Sequence, residues 1–471
     1  MSNIGILSVL PPLFAIILAI FTRQVILSLA VGIWIGWTFL YSFNPLLGAK
    51  GTIDTMLGVF GDTGNTSVII FSALVGGLIS LIQVSGGVDG FVKYVTGKNV
   101  VNTPRKAQML AWILGIVIFI ESTIKILIVG TVCRPIFDKM KISREKLSYI
   151  ADSTSAPICM LIPLNAWGAF VIALLSSQGV DSPVETLISS IAFNFYAIVT
   201  VMMVLFVVIF DVNIGQMRRA EMRVKLTGEL HEKGAKLFLD EEAVLKKPVT
   251  DRGSPLNMVV PIGVMTVFMP VALYITGEGN IMKGSGSLAV LWSVLLAILV
   301  GGIYYRVKKV LNLSQIMDTV IKGAGGMISL AILMVLAFSL GETCKRLGTG
   351  NYIAGLVVEV ISPGLIPALV FAASAFVAFS TGTSFGTFAL MIPLAVPLSQ
   401  NSGVNLALSV SAVLGGGVFG DHCSPISDTT IVASMASLCD HIDHVNTQLP
   451  YALVSALIAL LLYLVAGFLA V

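Results

Sequence analysis

The groups best suited to ion chemistry lie in residues 420–430, Gly-Asp-His-Cys-Ser-Pro-Ile-Ser-Asp-Thr-Thr. This stretch separates the apolar residues 404–419 and 431–438, where a membrane helix would otherwise continue. Ionisable side chains are costly at bilayer depth, so they normally face the protein interior and mark a pathway or a site. Because glycine and proline interrupt the helix, the freed carbonyls need partners such as water or ions. The stretch therefore predicts a binding site at a broken membrane helix.

Three other apolar runs carry polar interruptions. Residues 152–157 are Asp-Ser-Thr-Ser-Ala-Pro, residues 121–123 are Glu-Ser-Thr, and residues 380–384 are Ser-Thr-Gly-Thr-Ser. Carbonyls, hydroxyls and carboxylates are hard oxygen ligands that suit Na⁺ better than a soft metal. The N-termini of half-helices carry partial positive charge and suit anions.

We predict Na⁺ at Asp152 and Asp421. Each carboxylate would bind Na⁺ or alternate between Na⁺ and H⁺, because removal from water favours the protonated form. The alternative is that each caps a half-helix by accepting a backbone N–H, and the two roles are compatible. The same ion-binding prediction includes Ser153, Thr154, Ser427, Asp428 and Thr429.

A second group of candidates concerns substrate contact or proton coupling. Glu121 and Lys125 have the spacing of a helical ion pair. They either neutralise each other, or Lys125 competes with a cation for Glu121 or contacts a substrate carboxylate. His422 either relays protons or is a hydrogen-bonded structural histidine. The remaining candidates are Ser122, Thr123, Thr381, Thr383, Ser384 and Asn165, the last either lining a cavity or simply packing.

The composition predicts a membrane protein. Of the 471 residues, 56% are apolar and 11% are charged, whereas soluble domains have about 25% charged residues. Several apolar runs approach the roughly 20 residues that span a bilayer. Five scattered cysteines indicate neither a disulfide framework nor a zinc site. No basic residue precedes the first apolar run, so a cleaved signal peptide is not expected.

Charge distribution decides how residues 107–132 are interpreted. Basic residues flank this apolar run at both ends, and Lys and Arg concentrate in cytoplasmic loops. A re-entrant hairpin, with residues 121–123 at its tip, keeps both basic clusters on one side of the membrane, which a single crossing does not. Re-entrant backbone is tolerated where protein or water surrounds it. We therefore predict a hairpin.

The polar motifs recur in the same order after about 260 residues, which indicates an internal repeat. We predict two inverted-topology repeats, each with five transmembrane helices and a re-entrant hairpin, and with broken helices at the midplane. This all-α arrangement places 23 of the 28 basic residues on one side, with both termini non-cytoplasmic. Substrate and ion sites of such proteins lie where the repeats meet.

The predicted boundaries follow from this pattern. The first repeat is residues 1–211, with scaffold helices at 6–85 and transport elements at 107–211. A cytoplasmic linker, residues 212–255, contains an expected amphipathic helix at 217–230. The second repeat is residues 256–471, with scaffold helices at 258–341 and transport elements at 363–471. We expect loops at residues 44–66 and at a cytoplasmic segment that holds His441 and His444.

Two motifs resemble those of one transporter family. Residues 420–430, quoted above, and residues 144–157, Arg-Glu-Lys-Leu-Ser-Tyr-Ile-Ala-Asp-Ser-Thr-Ser-Ala-Pro, resemble the signatures of the NhaC-type Na⁺/H⁺ antiporter family. The resemblance covers nearly the whole chain. It implies the architecture of the ion transporter superfamily, with a scaffold domain, a transport domain with two hairpins, and Na⁺ coupling. It also implies a bacterial cell inner membrane.

Two functions stay open at this point. The first is Na⁺/H⁺ antiport by alternating access, with carboxylates at broken helices binding Na⁺ or H⁺. The second is Na⁺-coupled transport of a small organic solute, an amino acid or a carboxylate. No enzymatic activity, nucleic-acid partner or cofactor is expected beyond Na⁺ as the coupling ion. The expected partners are Na⁺, H⁺, the lipid bilayer and, in the second case, the solute; a homodimer is left open.

Overall fold

The chain is an all-α polytopic membrane protein. A computed structural model describes residues 5–22, 24–96, 102–119, 122–163, 165–230, 232, 235, 253–281, 284–349, 352 and 362–469. Within these ranges there is no strand. Eight of the described helices are long and apolar enough to cross a membrane, or up to ten if each of two bent pairs counts as one span.

The helices of the first half are short and frequently interrupted. They are α1 (Leu10–Thr22), α2 (Val25–Leu40), α3 (Pro45–Gly58), α4 (Thr63–Val84), α5 (Gly87–Thr96), α6 (Pro104–Val117), α7 (Ser122–Lys139), α8 (Arg144–Ser153), α9 (Ala156–Leu161), α10 (Ala166–Ser177), α11 (Pro183–Ala192), α12 (Phe195–Phe210) and α13 (Gly215–Thr227).

The second half contains more of the long apolar helices. Its described helices are α14 (Leu256–Thr276), α15 (Gly286–Val307), α16 (Leu313–Gly325), α17 (Ile328–Leu347), α18 (Ile366–Thr381), α19 (Ser384–Ser402), α20 (Leu406–Cys423), α21 (Asp428–Ser437) and α22 (His441–Leu469). The inverted relation of the two halves and their division into domains stay predictions.

The two expected hairpins correspond to helix pairs. Helices α6 and α7 pack on each other around the first interruption, and α18 and α19 pack on each other around the second. The second pair turns at Gly382, whose φ of 68° lies in the left-handed region that glycine adopts without strain. Glu121, at the first tip, lies outside the described residues.

The expectation of a loop at residues 44–66 is wrong. Helix α3 occupies most of this segment and is bent by 119° from α2. The Asn44 side chain accepts hydrogen bonds from the N–H groups of Leu46 and Leu47, and Pro45 supplies the first helical residue. Asparagine followed by proline is a strong helix start, and this start was overlooked because the segment is less apolar than its neighbours.

The cytoplasmic loop expected around His441 and His444 is also wrong in part. Helix α22 begins at His441, and it carries Pro450 in its interior. His444 is fully buried. A proline within a membrane helix is tolerated where neighbouring groups satisfy the freed carbonyl, and α22 continues through Pro450.

The amphipathic helix expected in the linker is present as α13. It begins two residues earlier than expected and ends at Thr227, where Gly228 caps it with a φ of 73°. Its buried side chains include Met217 and Glu221, and it packs on α8 and α22. The linker therefore starts as an ordered element attached to the helix that carries Asp152.

Candidate functional site

The second broken helix consists of α20 and α21. Helix α20 ends at Cys423, and α21 starts at Asp428. Ser427 caps α21 by accepting a hydrogen bond from the N–H of Thr429 at 3.2 Å. Ser424 donates to the carbonyl of Phe379 at 2.7 Å, which joins the break to the tip of the second hairpin. The predicted interruption is therefore present, and α18 holds it in place.

Asp421 lies in the last turn of α20 and is 3% exposed. Its Oδ1 accepts a hydrogen bond from Ser427 at 2.5 Å, and its Oδ2 accepts one from Ser384 at 2.7 Å. The hydroxyl of Thr429 lies 3.0 Å from that of Ser427. A buried carboxylate thus accepts from two serine hydroxyls, and a third hydroxyl lies beside one of them; hard cations prefer such oxygens.

A cavity of about 400 Å³ borders this carboxylate. Its walls come from both hairpin tips, from the second broken helix, from the start of α10, and from α2, α4 and α17 with the residues that precede α2 and α17. They include Ser122, Thr123, Thr383, Phe385, Asp421, Asp428, Thr429 and Trp167. Asp428 is exposed, unlike Asp421, and its Oδ1 accepts from the N–H of Thr429 at 2.9 Å. The structure thus gathers most of the predicted polar elements at one space.

The first broken helix runs through α8, α9 and α10. Helix α8 ends at Ser153, a turn at Thr154 and Ser155 follows, and α9 begins at Ala156. A second bend follows α9. Asn165 closes this bend: it donates to the carbonyls of Phe119, Cys159 and Ile162 and accepts from the N–H groups of Trp167 and Gly168.

Asp152 is fully buried, and its contacts differ from those of Asp421. Its Oδ2 accepts a hydrogen bond from Gln448 at 2.8 Å and lies 3.2 Å from Nε2 of His444. Its Oδ1 has no hydrogen-bond partner within the described residues. The two carboxylates therefore bond to different side chains.

Gln448 connects the two broken helices, because it donates both to Asp152 and to the carbonyl of His422. Sequence reasoning missed Gln448 and His444. A pattern in the sequence could have identified them: they are four residues apart before an apolar run, and that spacing places both on one face of a helix.

His422 is hydrogen bonded at both ring nitrogens. Its Nε2 lies 2.8 Å from the hydroxyl of Ser153, and its Nδ1 lies 2.8 Å from the hydroxyl of Tyr196. A neutral imidazole has one donor and one acceptor, and each hydroxyl can serve as either. The ring therefore links the end of α8 to α12 and α20.

Lys125 is fully buried in α7. Its Nζ donates to the carbonyl oxygens of Thr154 at 2.9 Å and of Ser155 at 3.1 Å. These are the backbone groups at the interruption of the first broken helix. The proposed pairing of Lys125 with Glu121 falls partly outside the described residues.

The remaining candidates use their hydroxyls locally. Thr154 donates to the carbonyl of Ile150 at 2.7 Å, and Thr381 donates to that of Val377 at 2.8 Å. Thr383 caps α19 by accepting from the N–H of Gly386. Among the described residues, no three His, Cys, Asp or Glu side chains are grouped to hold a metal ion.

Comparison with known proteins gives one family and one full-length relative. A family model described as the Na⁺/H⁺ antiporter family matches residues 182–468. A Haemophilus influenzae protein without an assigned function is 34% identical over an alignment that covers 98% of this chain and 91% of that protein. The malate-2H⁺/Na⁺-lactate antiporter of Bacillus subtilis is 32% identical over 25% of this chain and 27% of its own length.

The fold is similar to that of a solved transporter structure. The crystal structure of the Alcanivorax borkumensis YdaH transporter matches 89% of each chain with a TM-score of 0.61 and 14% sequence identity. At this identity the match concerns the fold alone.

Proposed function

Because the chain belongs to the Na⁺/H⁺ antiporter family, we propose that it exchanges Na⁺ for H⁺ across the membrane by alternating access. In this proposal Asp421 is the carboxylate that binds Na⁺ and H⁺ in turn. The observation that carries it is the position of Asp421: buried at a helix break, bonded to two serine hydroxyls, and at the wall of a cavity.

Competition for one carboxylate would couple the two ions. A serine hydroxyl can donate to an ionised carboxylate or turn a lone pair towards a cation. Ser384 and Ser427 can therefore help to hold Na⁺ together with Asp421. A proton on Asp421 removes the charge that attracts Na⁺, so the site holds one ion or the other. Asp428, exposed to the cavity, adds negative charge on the path of the incoming cation.

Asp152 has a separate role in this proposal. It is the second carboxylate at the interface of the broken helices, and Gln448 links it to the carbonyl of the residue after Asp421. A change of ligand at Asp421 would thereby be transmitted to α8. We propose that the elements at residues 107–211 and 363–471 move against scaffold helices at 6–85 and 258–341, in a bacterial cell inner membrane with both termini non-cytoplasmic.

Proteoliposomes test the exchange directly. The purified protein is reconstituted with a lumenal pH dye, and a Na⁺ gradient is applied in the absence of any organic solute. Antiport predicts a change of lumenal pH that follows the direction of the gradient and is lost in the variant Asp421→Asn. A choline gradient of equal size is the control. Absence of a Na⁺-driven pH change would refute simple Na⁺/H⁺ antiport.

A second candidate function is Na⁺-coupled transport of a small organic solute. The cavity of about 400 Å³ favours it, because this volume exceeds the space that a single Na⁺ needs. Trp167 and Phe385 give the cavity apolar surface, and their rings lie 4.7 Å apart. The name of the B. subtilis relative includes two organic carboxylates, malate and lactate. Uptake of labelled malate, lactate and amino acids under a Na⁺ gradient tests this candidate.

A further inference from the structure

The side chain of Lys125 places a positive charge at the interruption of the first broken helix. The Nζ of Lys125 donates to the carbonyls of Thr154 and Ser155 at 2.9 and 3.1 Å, and the side chain is fully buried. Unwound backbone carbonyls of broken membrane helices are groups that coordinate Na⁺ in secondary transporters. An ammonium group therefore occupies the position that a free cation would take.

The surroundings of this position favour a positive charge. Thr154 and Ser155 follow the last turn of α8, and the C-terminal end of a helix carries partial negative charge. Asp152 is buried in that same turn. A buried carbonyl without a partner is costly. A cation at this point gives the Thr154 carbonyl a partner and the Ser155 carbonyl a second one, since the Ser155 carbonyl also accepts from the N–H of Cys159 at 3.1 Å. The ammonium group of Lys125 supplies that cation without taking one from solution.

The second broken helix is contacted by a hydroxyl group from its hairpin. The first residue of α19, Ser384, donates to the carbonyl of Gly417 at 3.1 Å, inside α20 and four residues before Asp421, and to the carboxylate of Asp421 at 2.7 Å. Both Lys125 and Ser384 lie in the first turn of the helix that follows a hairpin tip. The first position thus carries a tethered cation, whereas the second carries a neutral hydroxyl beside a carboxylate.

We propose that Lys125 is a built-in replacement for one coupling ion. It fills the first interruption throughout the cycle, and one Na⁺ binds per cycle, at the second interruption. The stoichiometry rests on the proposed Na⁺ site at Asp421, whereas the replacement of a cation by Lys125 does not. Removal of the ammonium group should then turn the Thr154 and Ser155 carbonyls into an additional Na⁺ site.

Thermal stability of the purified protein measures this site without requiring transport. A ligand that binds only the folded state raises Tm as its concentration rises. The melting of Lys125→Met is followed in increasing NaCl, with choline chloride keeping the ionic strength constant. The same series is run in the Asp421→Asn background, which removes the carboxylate of the second site. Lys125→Arg, which keeps the charge, and Lys345→Met, at an exposed lysine, are the controls.

We expect the Tm of Lys125→Met/Asp421→Asn to rise with Na⁺ concentration. The Tm of three controls should change little with Na⁺: Asp421→Asn alone, Lys125→Arg/Asp421→Asn and Lys345→Met/Asp421→Asn. In the single variant Lys125→Met, Tm should rise more steeply with Na⁺ concentration than in the unaltered protein, because two bound ions rather than one stabilise the folded state. A folded double variant whose Tm ignores Na⁺ would overturn the proposal.

Failure to fold is also informative here. If Lys125→Met is monodisperse only in NaCl, loss of the folded protein on Na⁺ removal supports the proposal. If it is aggregated in NaCl, Lys125→Ala is prepared with methylammonium chloride. Recovery of folded protein supports a cation requirement at this position, and aggregation there as well contradicts it. Loss of Na⁺/H⁺ exchange by the unaltered protein would refute the proposed function and leave this stability result standing.

Discussion

Ser384 donates a hydrogen bond to Oδ2 of Asp421 at 2.7 Å, and this bond joins the tip of the second hairpin to the second broken helix. Ser384 is the first residue of α19, and Asp421 lies in the last turn of α20. In the proposed function, a change of ligand at the carboxylate would act directly on the hairpin tip. The bond would thereby couple ion binding to movement of the hairpin.

Ser384→Ala should weaken Na⁺ binding. The variant loses one hydroxyl oxygen beside the carboxylate and one hydrogen bond that stabilises the ionised form. Hydrogen bonds to charged groups contribute about 1.5–3 kcal/mol, so the KM for Na⁺ should rise by roughly tenfold or more. Na⁺-driven pH change in proteoliposomes measures the KM.

The matched control is Ser411→Ala, because Ser411 is a buried serine of α20 whose hydroxyl bonds the carbonyl of Leu408. The KM of this variant for Na⁺ should stay within about twofold of that of the unaltered protein, since substitutions at sites that share no partners act independently. Equal effects of the two alanine variants would show that Ser384 does not belong to the ion site.

Asp421→Asn and Asp428→Asn should have unequal effects. Asp421 is buried between two serines, and its amide replacement removes the charge that binds Na⁺, so exchange should be lost. Asp428 is exposed to the cavity, and an amide oxygen can still accept from the N–H of Thr429. Asp428→Asn should therefore keep kcat and raise the KM for Na⁺ several-fold. Equal loss of exchange in both variants would show that exchange needs both carboxylates, not that of Asp421 alone.

Tyr196→Phe should destabilise the protein without changing its Na⁺ affinity. The variant leaves Nδ1 of the buried His422 without the tyrosine hydroxyl, and an unsatisfied buried polar group costs about 1–3 kcal/mol. Tm should fall, while Tyr274→Phe, at a residue that is 55% exposed, should leave Tm unchanged. A large rise in the KM for Na⁺ would instead indicate that His422 takes part in transport.

The sequence alone was sufficient for the interruptions and the all-α class. Asp421 and Ser427 were identifiable because charge and helix-breaking residues stand within an apolar run, where each has a high cost. The interruptions and the helix class depend on local composition, which the sequence of one chain is enough to show. The bond between Ser384 and Asp421 was not predicted; Ser384 was a candidate only for substrate contact or proton coupling.

Other features depend on contacts between distant elements. Gln448 and His444 stand next to a polar segment, and nothing in their local sequence shows that Asp152 lies opposite them. The start of α3 was hidden by a composition close to that of a loop. Asn165 resembles a cavity residue by type, yet in the structure its amide closes the bend before α10. Such roles are set by tertiary packing.

Glu221→Ala should loosen the start of α8. The carboxylate of Glu221, from α13, accepts hydrogen bonds from the backbone N–H and the hydroxyl of Ser143 at 2.9 and 2.7 Å. Ser143 in turn caps α8. Loss of this buried acceptor costs about 1–3 kcal/mol locally, so hydrogen exchange of the first amides of α8 should accelerate.

Arg218→Ala is the comparison for this experiment, because Arg218 lies in the same helix and is exposed. Loss of an exposed charge contributes little, so exchange in α8 should not change. Unchanged exchange in Glu221→Ala as well would show that the linker helix does not support the helix that carries Asp152.

Gly416→Ala should disturb the packing of α20 on α18. A Cβ at this position would lie 2.5 Å from the carbonyl oxygen of Phe371 and 2.7 Å from Cβ of Ser374. The backbone cannot move away as the end of a flexible side chain can, and overpacking of this kind lowers the free energy of unfolding by about 1–3 kcal/mol. We expect a lower Tm and, because α18 leads to the tip that contacts Asp421, a higher KM for Na⁺.

Gly263→Ala provides the opposite case, since Gly263 lies inside α14 and a Cβ there would meet nothing within 4 Å. Alanine is the better helix former by about 0.5–1 kcal/mol, so Tm should stay equal or rise. Thermal melting and the proteoliposome assay on both variants separate close packing from helix propensity. If Gly416→Ala melted like Gly263→Ala and kept its KM, the hairpin would not be held against α20 in the way that the structure shows.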